Sequence, residues 1–214
     1  MKYRLAIFDF DGTLADSFSW FLGVANRLAD EHRFRRIEEH EVDALRGRSA
    51  RQLVAHFGIP AWKMPLIARQ MRQHMARDIR HITLFPGMDR VLKELAGRGI
   101  RLAIVTSNSI ENVRQVLGPG NADLIQQYAC GIAVFGKRTK LRSVVRGSGI
   151  PAAEAICIGD EIRDLEAARE EGIPFGAVSW GYTNPEALRA HGPEEMFENV
   201  EEILEKIAPS PVRA

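Results

Sequence analysis

Short runs of consecutive apolar residues recur along the chain, and between them apolar positions fall three and four apart. The first run is Leu5, Ala6, Ile7 and Phe8, and it ends at Asp9-Phe10-Asp11-Gly12-Thr13. Others lie at residues 102–105, 131–134, 155–158 and 176–179. Unbroken runs, as opposed to alternating ones, suit strands covered on both faces, as in a parallel sheet. The spaced patterns predict helices. Pro86 opens one that carries Val91, Leu92 and Leu95 on one face and ends at Gly97 and Gly99. Others follow Lys140 and Asp164. Strands that alternate with helices predict an α/β fold with a doubly wound, parallel-sheet (Rossmann-like) core.

Residues 16–82 break this alternation. They hold helix patterns and no convincing strand. Phe18, Phe21, Leu22, Ala25, Leu28 and Ala29 form one stripe. Ser49 is placed to cap a helix that carries Leu53, Val54 and Phe57 and stops near Gly58 and Pro60. Leu66, Ile67, Gln70, Met71 and Met75 form a third stripe. Such stripes are first of all packing faces. A sheet interrupted after its first strand and then resumed implies an inserted all-helical cap domain. The expected division is residues 1–15 and 83–214 for the core and 16–82 for the cap. The cap would stand over the carboxyl end of the first strand, where open α/β sheets bind ligands.

Composition narrows the class. The 214 residues carry a net charge of +1, with 45% hydrophobic and 27% charged residues, which is ordinary for a globular protein. No charge excess points to nucleic acid or an anionic membrane. No run of about 20 apolar residues could span a bilayer, and Asp9 and Asp11 interrupt the run that a signal peptide would need. Cys130 and Cys157 are too few for a disulfide framework or a four-cysteine zinc site, and both sit among apolar residues as small core side chains would. A reducing, cytoplasmic location is expected. The six histidines are scattered and form no ligand pattern. Nothing in the sequence decides between monomer and homodimer. The 16–82 segment has eleven Arg and one Lys against eight acids, which fits either a solvated surface or a mildly basic lid over an anionic substrate.

Four elements carry candidate chemistry. Asp9 and Asp11 stand at a strand end, where two carboxylates demand cations or hydrogen-bond donors. Asp160, Glu161 and Asp164 follow another apolar run. Neighbouring parallel strands deliver their ends to one edge, so Asp9, Asp11 and Asp160 could converge as hard oxygen ligands for Mg²⁺. Asp164, four residues on, fits a ligand, an outer acceptor or a plain helix N-terminal acid. Thr106-Ser107-Asn108 after a third run suits a phosphate cradle or a simple cap. Lys137 or Lys140 could balance the acids and steady a transferring phosphoryl group.

These elements, in this order, resemble the haloacid dehalogenase-like superfamily of hydrolases. The segments are DFDGTLADS at 9–17, LFPGMDRVLKEL at 84–95, LAIVTSN at 102–108 and ICIGDEIRDLEAAREEGI at 156–173. Together they cover nearly the whole chain and are most similar to the phosphoglycolate phosphatase-like branch with a helical cap. The resemblance implies a phosphatase acting on a small phosphorylated metabolite with Mg²⁺ as cofactor. It casts Asp9 as the nucleophile that forms an aspartyl-phosphate and Asp11 as general acid and then base. Asp9 and Asp160 would bind Mg²⁺ through side chains and Asp11 through its carbonyl. Gly12, Thr106, Ser107 and Asn108 would hold the phosphoryl group. An acid at position 11 favours phosphate esters over carbon–halogen bonds, because an alkoxide leaving group needs a proton.

The sequence departs from the family pattern twice. Lys-Pro is absent at the third motif, and Lys137, near the expected strand end, is favoured over Lys140. Glu161 stands beside Asp160 where many relatives have a small residue; as an extra metal ligand it would suit a phosphomutase of the beta-phosphoglucomutase type. In the cap, the basic turn Arg46-Gly47-Arg48-Ser49 is either an exposed loop or one that faces the site, where Arg48 would bind an anionic leaving group. A non-catalytic binding protein on this fold is the third reading. The intact acids argue against it. The cap is expected to close over substrate on links near Ala15-Asp16 and Thr83-Leu84, and the C-terminal Pro-Ser-Pro-Val-Arg-Ala tail to fray.

Overall fold

The computed structural model describes residues 2–48, 50–131 and 136–208. The first apolar run forms β1, Leu5–Phe8, buried along its whole length. The chain then turns into a two-residue strand, β2 (Ala15–Asp16), and enters four helices: α1 (Phe18–His32), α2 (Val42–Arg46), α3 (Ala50–His56) and α4 (Met64–Asp78). It returns through β3 (Thr83–Leu84), which pairs antiparallel with β2. The ribbon therefore ties both ends of the helical insert together, Ala15 opposite Leu84 and Asp16 opposite Thr83.

After the ribbon, strands and helices alternate: α5 (Met88–Gly97), β4 (Arg101–Val105), α6 (Ile110–Ala122), β5 (Ile125–Ala129), α7 (Lys137–Ser148), β6 (Ala155–Gly159), α8 (Ile162–Glu170) and β7 (Phe175–Val178). Last come α9 (Pro185–Ala190), β8 (Glu195–Phe197) and α10 (Glu201–Ile207). The six-stranded sheet has the order β5-β4-β1-β6-β7-β8, and every pairing is parallel. This is a doubly wound sheet. The order reverses between β1 and β6, and the crevice outside the carboxyl ends of those strands is where such sheets bind ligands.

Alternate residues of each strand face opposite layers. Ala6 and Phe8 of β1, with Leu102, Ile104, Ile156 and Ile158, pack against Val91, Leu92 and Leu95 of α5 and Ile203 and Ile207 of α10. Leu5 and Ile7, with Ala103, Val105 and Cys157, pack against Leu141 and Val144 of α7 and Leu165 and Ala168 of α8. A third, small core of Val24, Leu28 and Ile67 holds α1 to α4 within the insert.

Several expectations need correction. The strand expected at 131–134 falls, beyond Gly131, outside the described residues. The strand beside β4 is β5, whose Gln126 and Gln127 break the apolar run because this sheet edge is only half covered. Helices α7 and α8 begin earlier than expected, so Lys137 and Asp164 lie in their first turns. Pro86 precedes α5 by two residues, with Gly87 as the cap. Leu66 faces solvent while Ile67 and Met75 of the same stripe are buried. Cys157 is buried, but Cys130 is only half covered. The proposed cap Ser49 and the C-terminal tail lie outside the described residues.

Candidate active site

The carboxyl ends of β1, β4 and β6 deliver Asp9, Thr106 and Asp160 to one edge of the sheet. Asp9 continues the ladder, donating its N–H to the Ile158 carbonyl at 2.8 Å, which fixes it beside the end of β6. Its carboxylate meets Lys137, the first residue of α7, with Oδ2 2.9 Å from Nζ. The same ammonium lies 2.6 Å from Asp164 Oδ1. Of the two lysines considered, Lys137 is the buried one; Lys140 is exposed. Burial works against the Lys137 charge, but Asp164 and Asp9 outweigh it and hold the ammonium above its ordinary pKa. Burial pushes Asp9 up, while Lys137 and Arg163 draw it down further, so its carboxyl lies below the usual range.

Asp11 has a different setting. Its Oδ1 accepts from Ser17 Oγ at 3.1 Å and its Oδ2 from Asn108 Nδ2 at 3.0 Å. Burial and the neighbouring Asp9 charge raise its pKa to about 6, and the two hydrogen bonds only partly oppose them. Two carboxyls two residues apart are thus driven in opposite directions, one toward the anion and one toward the acid. Such a separation is what a nucleophile or base working beside a proton donor requires.

Asp160 is fully buried. Thr13 Oγ1 donates to its Oδ1 at 2.8 Å, and the Tyr182 N–H donates to its Oδ2 at 2.7 Å. Burial, Glu161 and Asp9 push it up to about 8. Asp164 is also fully buried and is raised by burial, with Lys137 opposing. Asp9, Asp160 and Asp164 each present an oxygen within 4.8 Å of the others. Asp164 Oδ2 is buried with no hydrogen-bond donor. A buried set of hard carboxylate oxygens, two of them displaced toward the neutral form by burial, fits a small divalent cation such as Mg²⁺, which would restore the charged form. The cluster includes the side chain of Asp164, a role the sequence left open. The Asp11 carboxylate, by contrast, is directed to Ser17 and Asn108.

At the end of β4, Thr106 Oγ1 accepts the Asn108 N–H at 3.0 Å, so its own proton remains to be donated. Asn108 is held by Asn112, whose Nδ2 donates to Oδ1 at 3.0 Å, and Ser107 lines the cavity above. Gly12 was expected to bind substrate. Its N–H is instead donated to the Ala15 carbonyl at 3.0 Å. It also has φ +75°, and a Cβ there would fall 2.3 Å from Asp160 Oδ2. The position needs glycine for turn conformation and for space. Glu161 is paired with Arg163 at 2.5 Å.

The loop after β7 was missed by sequence reasoning. A Cβ on Gly181 would fall 2.0 Å from the Asp160 Cβ, so the backbone can reach Asp160 only with glycine there. Tyr182 follows, its hydroxyl 2.9 Å from Ser17 Oγ and its ring centroid 5.1 Å from Phe18 and 5.2 Å from Phe21 of the insert. Arg46, from α2, donates to the carbonyls of Gly181 and Tyr182 at 2.8 and 3.1 Å. Arg48 is exposed and its Nη1 lies 3.0 Å from His56 Nδ1. The signal available beforehand was Trp180-Gly181-Tyr182, an aromatic pair around a glycine just past a strand end.

Comparison with known proteins agrees with this geometry. A family model described as haloacid dehalogenase-like hydrolase matches residues 6–178. The chain belongs to that family. A phosphoglycolate phosphatase of Synechococcus elongatus is 32% identical over 202 residues, covering 94% of this chain and 95% of the relative. An N-acetylmuramic acid 6-phosphate phosphatase of Pseudomonas aeruginosa is 23% identical, covering 96% of this chain and 95% of its own. In fold, a haloacid dehalogenase-like family hydrolase from Streptococcus pneumoniae superposes with a TM-score of 0.77 at 21% identity, covering 95% of this chain and 97% of that one. Within the haloacid dehalogenase-like hydrolases, the likeness is to the phosphoglycolate phosphatase branch. Among the described residues, no helix is long and apolar enough to cross a membrane.

Proposed function

We propose that the protein is a Mg²⁺-dependent phosphatase that cleaves a small phosphomonoester by way of a phosphorylated Asp9. The observation that carries this reading is the pairing of a lysine-bound Asp9, whose carboxyl is held toward the anion, with an Asp11 whose proton affinity is raised, at the switch point of the sheet. Asp9 Oδ attacks phosphorus, the bond from phosphorus to the leaving oxygen breaks, and Asp11 gives its proton to that oxygen. Asp11 then takes a proton from water as that water attacks phosphorus, freeing phosphate and Asp9. A pKa of about 6 supports both duties near neutral pH.

Thr106 donates its hydroxyl to a phosphoryl oxygen, with the backbone at Ser107 and Asn108 beside it. Lys137 balances the developing charge. Asp9, Asp160 and Asp164, together with the Asp11 carbonyl, would hold the cation. A Mg²⁺ ion bound there would supply charge neutralisation for the phosphoryl transfer. The helical insert serves as a cap domain that opens and closes about the β2–β3 ribbon. The Arg46 contacts to the 181–182 loop support the closed position. Two cysteines without a disulfide support a cytoplasmic setting.

The test is phosphate release from a panel of phosphorylated metabolites, headed by phosphoglycolate, with Mg²⁺ and with EDTA. Release that stops in EDTA and in Asp9→Asn supports the reading. Isomer formation from a sugar phosphate with little free phosphate would replace it with the mutase. No turnover of any kind would leave a binding protein.

A further inference from the structure

A cavity of about 330 Å³ runs from Asp9, Asp11 and Thr106 into the helical insert. Pockets of about 300 to 1,000 Å³ take whole drug-sized molecules, and a two-carbon leaving group would occupy only a small part of this one. Its inner wall is carbon. Phe21 and Leu22 of α1, Leu53 and Val54 of α3, and Met64 and Met71 of α4 line it. All six are only half-buried, whereas Val24 and Leu28 of α1 are buried in the core of the insert, and Ile67 of α4, also buried, borders both core and cavity. The insert therefore has a packed apolar centre and, beside it, a second apolar face turned toward the reacting groups.

Arg46 and Arg48 of the turn, and Arg163 of α8, border the cavity, but each already has a partner, Arg163 with Glu161. Arg46 donates to the Gly181 and Tyr182 carbonyls, and Arg48 contacts His56. Arg72 adds a cation on the α4 wall, among Met71, Ala68 and Met75. The leaving-group side of the site thus offers mainly uncovered hydrocarbon.

We infer that this chamber receives the leaving group, and that the preferred substrate is a phosphate monoester with an apolar body larger than two carbons, aliphatic or aromatic. The inference rests on the phosphatase reading above. The phosphoryl end is held by the strand-end residues, and the apolar body slides between α1, α3 and α4, with Met64 and Met71 adapting their shape to it. Binding energy then comes from removing both surfaces from water.

An alkyl phosphate series tests this, because leaving-group basicity hardly changes along it while buried area grows. With Mg²⁺ present, kcat/KM rises about fourfold per methylene, or roughly sixtyfold from ethyl to pentyl phosphate. Val54→Asp, a half-buried position, lowers the pentyl-to-ethyl ratio at least tenfold without unfolding the protein. A flat or falling series, or phosphoglycolate preferred over pentyl phosphate, with turnover still lost in Asp9→Asn, overturns the chamber and leaves the phosphatase standing. Calorimetric binding of ethylphosphonate and pentylphosphonate needs no turnover. Tighter binding of the longer phosphonate supports the chamber even if no ester is cleaved, and equal binding overturns it.

Discussion

Lys137→Met removes the one ammonium shared by Asp9 and Asp164. The two contacts measure 2.9 and 2.6 Å. At an effective dielectric of about 20, each attraction is about 6 kcal/mol. Most of this is offset by the cost of burying three ions, several kcal/mol apiece. The net value of the cluster is therefore small, but deleting one partner strands the others. Loss of a buried partner costs about 3 to 5 kcal/mol, which in a domain of this size lowers Tm by roughly 6 to 20 °C. The pH dependence has a definite sign. Without the ammonium, the Asp9 carboxyl moves above the unfolded value of about 3.9, and Asp164, already raised by burial, moves further up. Groups raised in this way bind protons more tightly when folded, so the variant gains stability as pH falls toward 4. Urea unfolding followed by tryptophan fluorescence should show a deficit against the parent that is largest at pH 8 and narrower at pH 5. Lys137→Met with Asp164→Asn should recover about 1 to 3 kcal/mol, the range for coupled neighbours. A deficit below about 1 kcal/mol, typical of surface pairs, or one equal at pH 5 and pH 8, would refute the reasoning.

Two further outcomes are expected. Gly181→Ala places a carbon 2.0 Å from the Asp160 Cβ, so the loop must retreat and the Tyr182 N–H leaves Asp160; the Mg²⁺ concentration for half-maximal activity should rise about 10- to 100-fold, and an unchanged requirement would show that the loop does not position Asp160. Glu171 accepts from Arg142 and Arg138, whose hydrogen bonds pull its pKa down to about 2. A depressed folded pKa gives stability that is present above the unfolded value and lost as pH falls through the folded one. Glu171→Gln should therefore destabilise at pH 7, with a difference that closes between about pH 4.5 and 2 in acid unfolding.

The parts that were legible in the sequence are those where local chemistry and position coincide. Leu5–Phe8 and the runs at 102–105 and 155–158 are unbroken because both faces of the central strands are covered, and each ends at a polar group that the site uses. The edge strands were not legible. Gln126 and Gln127 in β5 and Glu195 in β8 belong to strands with one face near water, where apolar continuity is not required. The start of α7 was misplaced because Lys137 reads as a solvated residue until its two carboxylate partners, distant in sequence, are brought to it. Gly181 and Tyr182 were marked only by the aromatic pair around a glycine past a strand end, which does not say what the loop touches. Their importance comes from touching Asp160 across a long sequence gap, and no periodicity records a contact of that kind. Arg46 and Arg48 look equivalent in sequence, and only the path of the 181–182 loop separates the one that bridges insert and sheet from the one that meets His56.

The central claim is that Asp9 carries the phosphoryl group. The direct measurement is rapid quenching during turnover with Mg²⁺, followed by borohydride reduction and peptide mass spectrometry. Borohydride converts an aspartyl-phosphate to homoserine, so the account predicts homoserine at position 9 in a fraction that disappears in EDTA. Phosphate release at an undiminished rate with residue 9 unmodified, or with the modification at another carboxylate, would contradict it.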